Sequence, residues 1–204
     1  TILHYSYHNS DLVKYLLNLP EIDINAIDNN GKSILHLICE AGDLSLVKFI
    51  NQSYEADFAC LDYEHKSILH YAVLSSNYDL VEFIVQNKLV DVNIVDNHGE
   101  NALILATNTI RPNLSIIQLL TTVIDINQSS NSGITPLINA CSHNYSSVIR
   151  LLLSEPDIII RKKNCDGLDM PLITLSRGSY QNLKYIKNIP YDQLDYHNNT
   201  LLHL

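Results

Sequence analysis

The sequence predicts an all-α chain in which short helix–turn–helix pairs, joined by β-turn or hairpin loops, stack into one solenoid over residues 1–204. Three observations carry that prediction. A nine-residue segment recurs at an offset of 34. A turn centred on glycine recurs in the same phase. An apolar column, placed where a second helix belongs, runs in step with both.

The first column begins with Asp28-Asn29-Asn30-Gly31-Lys32-Ser33-Ile34-Leu35-His36, which returns as Asp62-Tyr63-Glu64-His65-Lys66-Ser67-Ile68-Leu69-His70. It returns more loosely as Asp96 to Ile104, then as Ser130 to Ile138. Asn164 to Ile173 follows, with one residue read as added before Met170-Pro171-Leu172. The turn column is Gly31, His65, Gly99, Gly133 and Gly167, and a last copy starts at Asp195. The second-helix column is Val13-Lys14-Tyr15-Leu16, Val47-Lys48-Phe49-Ile50 and Val81-Glu82-Phe83-Ile84. Behind it run Asp23-Ile24-Asn25, Asp57-Phe58-Ala59, Asp91-Val92-Asn93 and Asp125-Ile126-Asn127. Two residues are gained near Arg111-Pro112 and two lost before Asp125, so the phase recovers, as a register set by stacking requires. The repeats are therefore placed at 1–27 (partial), 28–61, 62–95, 96–129, 130–163, 164–194 and 195–204 (partial).

Each element has a local reason. The turn glycines sit where a tight turn needs positive φ, which a residue without Cβ enters freely. Asn198 tolerates that region, whereas His65 is expected to distort its turn. Ser33, Ser67 and Thr135 are expected to cap the first helices through their hydroxyls. Pro136 and Pro171 suit the first helical turn. Leu35, Leu37 and Ile38 give the first helix an apolar face, and Leu44, Val47 and Ile50 give one to the second. Pro20, Pro156 and Pro190 stop second helices. One such pair cannot bury its apolar face alone, so its neighbours must.

This pattern resembles the ankyrin repeat, written D-x-x-G-x-T-P-L-H-x-A, two short helices, then D-V-N. Thr135-Pro136-Leu137 matches literally, and Ser33-Ile34-Leu35-His36 and Ser67-Ile68-Leu69-His70 match with Ser for Thr and Ile for Pro. The departures are His65 and Asn198 at the glycine position, Ile104, Ile138 and Ile173 at the histidine position, and Ile159-Ile160-Arg161 where D-V-N belongs. The resemblance implies that His36 and His70 bond backbone near the turn, with His4 and His203 in the same class. It also implies first helices lining a concave side, no cofactor, and binding of a protein partner through turn tips and the last turns of first helices. Carried onto this chain, that surface includes Asn29, Asn30, Lys32, Glu40, Tyr63, Glu64, Lys66, Leu74, Asn97, His98, Glu100, Asn131, His143 and Arg177. Tyr63 and Arg177 are the expected anchors, because Tyr and Arg are over-represented among binding hot spots.

Charge and motifs narrow the function. With 13 Lys and Arg against 22 Asp and Glu, the chain carries −9, which disfavours nucleic acid and anionic membranes. No apolar run reaches the length of a membrane span. Cys39, Cys60, Cys141 and Cys165 form no C-x-x-C and no zinc spacing, so they read as free thiols in a reducing, cytoplasmic setting. Cys39 and Cys141 read as buried, and Cys165, at a turn tip, as the reactive one. Ala26 to Ser33 has the outline of a P-loop, but Asp28 would put a carboxylate in the phosphate cradle and Lys-Ser recurs in phase at Lys66-Ser67. His36 and His70 lie one helix spacing of about 8–10 Å apart, too far to share a zinc ion. Glu64 with His65, and His98 with Glu100, have acid–base chemistry but sit on turn tips, where an ordinary surface is the simpler reading. No catalytic motif is present, so an enzyme is not expected.

The expected function is a protein-interaction module within a longer ankyrin protein. The alternatives are a spacer array without a partner, or a substrate-recruiting domain of a larger enzyme. Leu201, Leu202 and Leu204 carry an apolar face without a cap, so a monomer, or weak self-association through the ends, is expected.

Overall fold

The computed structural model describes residues 1–177 and 180–185, which form two compact units, Thr1–Asn97 and His98–Leu204. The first unit holds α1 (Ile2–Tyr5), α2 (Ser10–Leu17), α3 (Ile34–Ala41), α4 (Leu44–Ser53), α5 (Ile68–Leu74) and α6 (Tyr78–Gln86). The second holds α7 (Ala102–Asn108), α8 (Leu114–Thr121), α9 (Pro136–Ser142), α10 (Ser146–Leu153), α11 (Met170–Ser176) and a 3₁₀ turn (Tyr180–Tyr185). Among the described residues the only β pairing is an isolated antiparallel bridge between Ile27 and Ser33.

The first helices from α3 onward start at residues 34, 68, 102, 136 and 170, so the sequence period is the structural one. The two-residue insertion falls in the α7–α8 connection, which puts α8 at 114, and α9 is back in phase at 136. The same phase corrects one expectation. No residue is added ahead of α11: Asp169 is its N-cap, Met170 its first residue and Pro171 its second. Leu172, not Ile173, therefore occupies the histidine position. At the other end α1 spans only 4 residues against 8 in α3, and accordingly His4 lies nine residues before Val13 where His36 lies eleven before Val47.

First helices pack on first helices, α3 on α5 in one unit and α7 on α9 on α11 in the other, and α4, α6, α8 and α10 each pack on the first helix of their own repeat. Ile34, Leu35, Ile38, Leu46, Val47 and Ile50 are fully buried, as are Ile68, Leu69, Leu80, Val81 and Ile84 one repeat on. Leu46 replaces the expected Leu44 on the buried face of α4. At about 100° per residue, Leu44 points roughly 200° away from Leu46, and it is only half-buried. Leu37 is also half-buried rather than core.

Second helices have a cap column of their own. Asn9, Asp43, Asn77 and Asn113 each accept a backbone N–H from the first turn, at Leu12, Leu46, Leu80 and Ile116 respectively. Behind them, Asn25 Oδ1 accepts the Asp57 N–H (2.8 Å), and Asn127 Oδ1 accepts the Ile159 N–H (2.7 Å). The donor there is backbone, so Ile159 supplies it, but it lacks the carboxylate with which Asp23, Asp57, Asp91 and Asp125 accept the N–H two residues on. Pro190, Asn198, Leu201, Leu202, His203 and Leu204, to which the sequence assigns terminal roles, lie outside the described residues.

Candidate functional site

Each turn tip is organised by the side chain that opens it. Asp28 Oδ1 accepts the N–H groups of Asn30 (2.8 Å) and Lys32 (2.9 Å), and Asp62 Oδ1 those of Glu64 (2.9 Å) and Lys66 (2.8 Å). Asn164 does the same for Asp166 and Leu168. A phosphate in the Ala26–Ser33 turn would need the very donors that Asp28 already holds. Partial burial works against the Asp28 carboxylate, but those two N–H groups outweigh it and lower its pKa. Gly31 has φ +78°, and a Cβ there would lie 2.8 Å from the Tyr63 nitrogen. His65 takes φ 65° without distorting its turn, contrary to expectation. Its N–H still reaches the Asp62 carbonyl (2.9 Å), and its ring Nδ1 donates to the Val95 carbonyl (3.2 Å).

Backbone bonds stitch neighbouring tips together. The Tyr63 N–H donates to the Asn30 carbonyl and the Asn97 N–H to Glu64; in the second unit Asn131 donates to His98 and Cys165 to Ser132, at 2.9–3.0 Å. Several predicted contact residues thus hold their tips by backbone while their side chains stay outside. Asn97 is an exception, since its Nδ2 donates to the Tyr63 carbonyl (3.1 Å).

The histidines hold the first-helix starts. The Ser33 N–H donates to His36 Nδ1 (3.0 Å), so the proton is on Nε2, which donates to the Lys66 carbonyl one repeat on (3.2 Å). His4 repeats this toward the Lys32 carbonyl (2.8 Å). Burial lowers the His36 pKa and keeps the ring neutral. Ser33 and Ser67 therefore cap as half of a box shared with His36 and His70, whereas Thr135 caps through its hydroxyl alone, accepting from Ile138 N–H (3.2 Å). Both nitrogens of His36 are committed to protein, which leaves none for a metal. Among the described residues no group of three His, Cys, Asp or Glu side chains could hold one.

The chain's repeat geometry agrees with its sequence match: residues 1–96 and 84–164 each match the family model described as ankyrin repeats in three copies. The chain belongs to the ankyrin-repeat family. The solved ankyrin repeat domain of Bcl-3, a member of the IkappaB protein family, matches at TM-score 0.80 and 22% identity, covering 100% of this chain and 92% of that one. A chain from the complex of the Bdellovibrio bacteriovorus predatory endopeptidase Bd0816 with immunity protein Bd3460 matches at TM-score 0.78 and 21% identity, covering 90% and 95%. At these identities the likeness is one of fold. No curated protein sequence matches the chain.

On this ankyrin array eleven of the fourteen predicted contact residues are exposed, and Lys32, Lys66 and Glu100 are half-buried. The structure gathers eight of them, Asn29, Asn30, Lys32, Glu40, Tyr63, Glu64, Lys66 and Leu74, around one cleft of about 510 Å³ in the first unit. Its floor was not anticipated. Tyr71 is buried there, its hydroxyl donating to Asp62 Oδ2 (2.5 Å), its ring edge-on to His36 and 4.3 Å beneath Lys32 Nζ. Burial, then Asp62, pushes the Tyr71 pKa far up, so the hydroxyl keeps its proton. The repeated Asp column was a readable signal for Asp62; nothing in the sequence marked Tyr71. Glu64 is bound to Lys66 at 2.6 Å, and the His65 ring is turned to Val95, so those two form no acid–base pair.

The remaining predicted residues do not converge. His98, Glu100, Asn131, His143 and Arg177 lie in the second unit, where His143 faces Asn108 Oδ1 (3.0 Å) and stacks on Tyr145. Cys39 and Cys141 are buried, with the Cys141 thiol pushed up to about 12 by desolvation, and Cys165 is exposed. No described helix is long and apolar enough to cross a membrane.

Proposed function

We propose that this ankyrin array is a protein-binding module whose contact surface runs along the turn tips and the last turns of the first helices, centred on the cleft between the Asp28 and Asp62 turns. One observation carries the reading: Tyr63 stands 66% exposed and Leu74 43% exposed on a rim whose polar neighbours are already engaged with one another. The backbone bond to Asn30 fixes the Tyr63 main chain, and a Tyr side chain has only two torsions left to order on binding, which favours it as an anchor. Asn29, Asn30, Lys32, Glu64 and Lys66 supply polar contacts around it, with Asn97 on the next tip. His98, Glu100, Asn131, His143 and Arg177 are the corresponding candidates on the second unit. Four free thiols suit a reducing, cytoplasmic setting. The net charge of −9 speaks against nucleic acid.

The test is capture and identification of a partner with the immobilised chain, followed by titration of that partner against Tyr63→Ala. Affinity should fall at least tenfold with the circular dichroism spectrum unchanged. Equal binding by Tyr63→Ala and Arg177→Ala would remove this surface from the interaction, and no partner at all would leave the array as a spacer.

A further inference from the structure

The formal charge is not shared between the two units. Thr1–Asn97 contains 5 Lys and no Arg against 14 Asp and Glu, and so carries all of the −9; His98–Leu204 contains 8 basic and 8 acidic residues. The cleft lies wholly in the acidic unit. Its two lysines do not reverse that sign at the rim. Lys32 is drawn down onto Tyr71 and Glu40, with its side chain 20% exposed against 47% for Glu40. Lys66 is likewise 20% exposed, against 65% for its partner Glu64. The basic ends are tucked in and the carboxylates stand out. In each pair Oε2 takes the lysine, which leaves Oε1 of Glu40 and Glu64 for a second cation.

We propose that this cleft, read above as the contact surface, receives an extended arginine- and lysine-rich segment of a protein partner. A guanidinium can lie on the exposed Tyr63 ring while donating to Glu64, combining a cation–π contact with a charge-assisted hydrogen bond. The apolar stems of such side chains cover Leu74. The −9 field of the unit draws a basic segment in and repels an acidic one or a nucleic acid. The proposal rests on the cleft being the contact surface and adds the chemistry of what fills it.

The test uses the full chain and two fluorescein-labelled peptides of 12 residues, one alternating Arg or Lys with Leu, the other with every basic residue replaced by Glu. Binding is followed by fluorescence polarisation at low and at high salt. The basic peptide should bind at least tenfold more tightly than the acidic one and weaken as salt rises. Glu40→Gln with Glu64→Gln should cost about tenfold, while Glu55→Gln with Asp79→Gln, an equal charge change away from the cleft, should cost less than threefold. Thermal melts of both double variants check the fold. Equal binding of the two peptides, no binding of either, or equal losses in the two double variants would each overturn the proposal. A partner captured through Tyr63 whose footprint is acidic would overturn the charge assignment while leaving the contact surface standing.

Discussion

The two units start their first helices with different chemistry. In Thr1–Asn97 the N-caps are Thr1, Ser33 and Ser67, each boxed with a histidine three residues on, and the rings of His4 and His36 also reach a carbonyl of the next repeat. In His98–Leu204 the caps are Asn101, Thr135 and Asp169, each of which accepts the helix N–H with its own side-chain oxygen. Ile104, Ile138 and Leu172 then stand at the histidine position, buried and apolar. The need is the same in both: the first N–H groups of a helix have no partner within it. One unit meets it with a ring that ties two repeats together. The other meets it locally and spends the freed position on core packing.

The largest effect should not distinguish the units at all. Leu69 in α5 and Leu137 in α9 are equivalent and 1% and 2% exposed, so Leu69→Ala and Leu137→Ala should each cost roughly 2–5 kcal/mol by urea denaturation. A gap of several kcal/mol between them would mean that the cores, and not only the caps, differ. The next effect should separate them. His36→Ala strands the buried Ser33 N–H and breaks a bond to the next repeat, at a cost of about 2 kcal/mol. Thr135→Ala removes one local cap, at about 1 kcal/mol. Finding Thr135→Ala the more damaging would break the comparison.

The smallest effect is the response to acid. The folded His36 pKa lies below its unfolded value of 6.5, so the unfolded chain binds the proton first. Its contribution is complete above that value and falls as pH drops through it toward the folded pKa, at a rate of at most about 1.4 kcal/mol per pH unit. Asp169 in α11 has the opposite sense. Burial raises its pKa against the pull of the Leu172 N–H and Arg161, so acid relieves its cost. Hydrogen exchange on the intact chain between pH 7.5 and 5.5, corrected for intrinsic rates, should show α3 losing protection while α9 and α11 hold theirs. Parallel losses in α3 and α9 would refute the cap assignment.

The cap contrast was half legible beforehand. Ser33, Ser67 and Thr135 were readable as caps, and the histidine column broke at Ile104 and Ile138, but the sequence does not say that the serines act through a ring. Eight of the predicted contact residues meet at one cleft because they share a phase in adjacent repeats. The floor that unites them, Tyr71 on Asp62, has no clear periodic signal, since the residue after the histidine is Leu37 in the repeat before it and the other Tyr there, Tyr5, is exposed.

What the sequence determined by itself is what a single repeat can express: the 34-residue period, the turn and cap columns, the apolar stripes and so the ankyrin family. Spacing and capping are local, and stacking multiplies them without altering them. Tertiary structure alone decided what depends on residues about one repeat apart. His65 holds a left-handed backbone because the Val95 carbonyl, 30 residues on, receives its ring. Lys32 is folded away, leaving Glu40 at the rim, because Tyr71 of the next repeat lies beneath it. Each outcome turns on a contact across a repeat boundary, where the energy of the meeting and not the pattern of either partner sets the result.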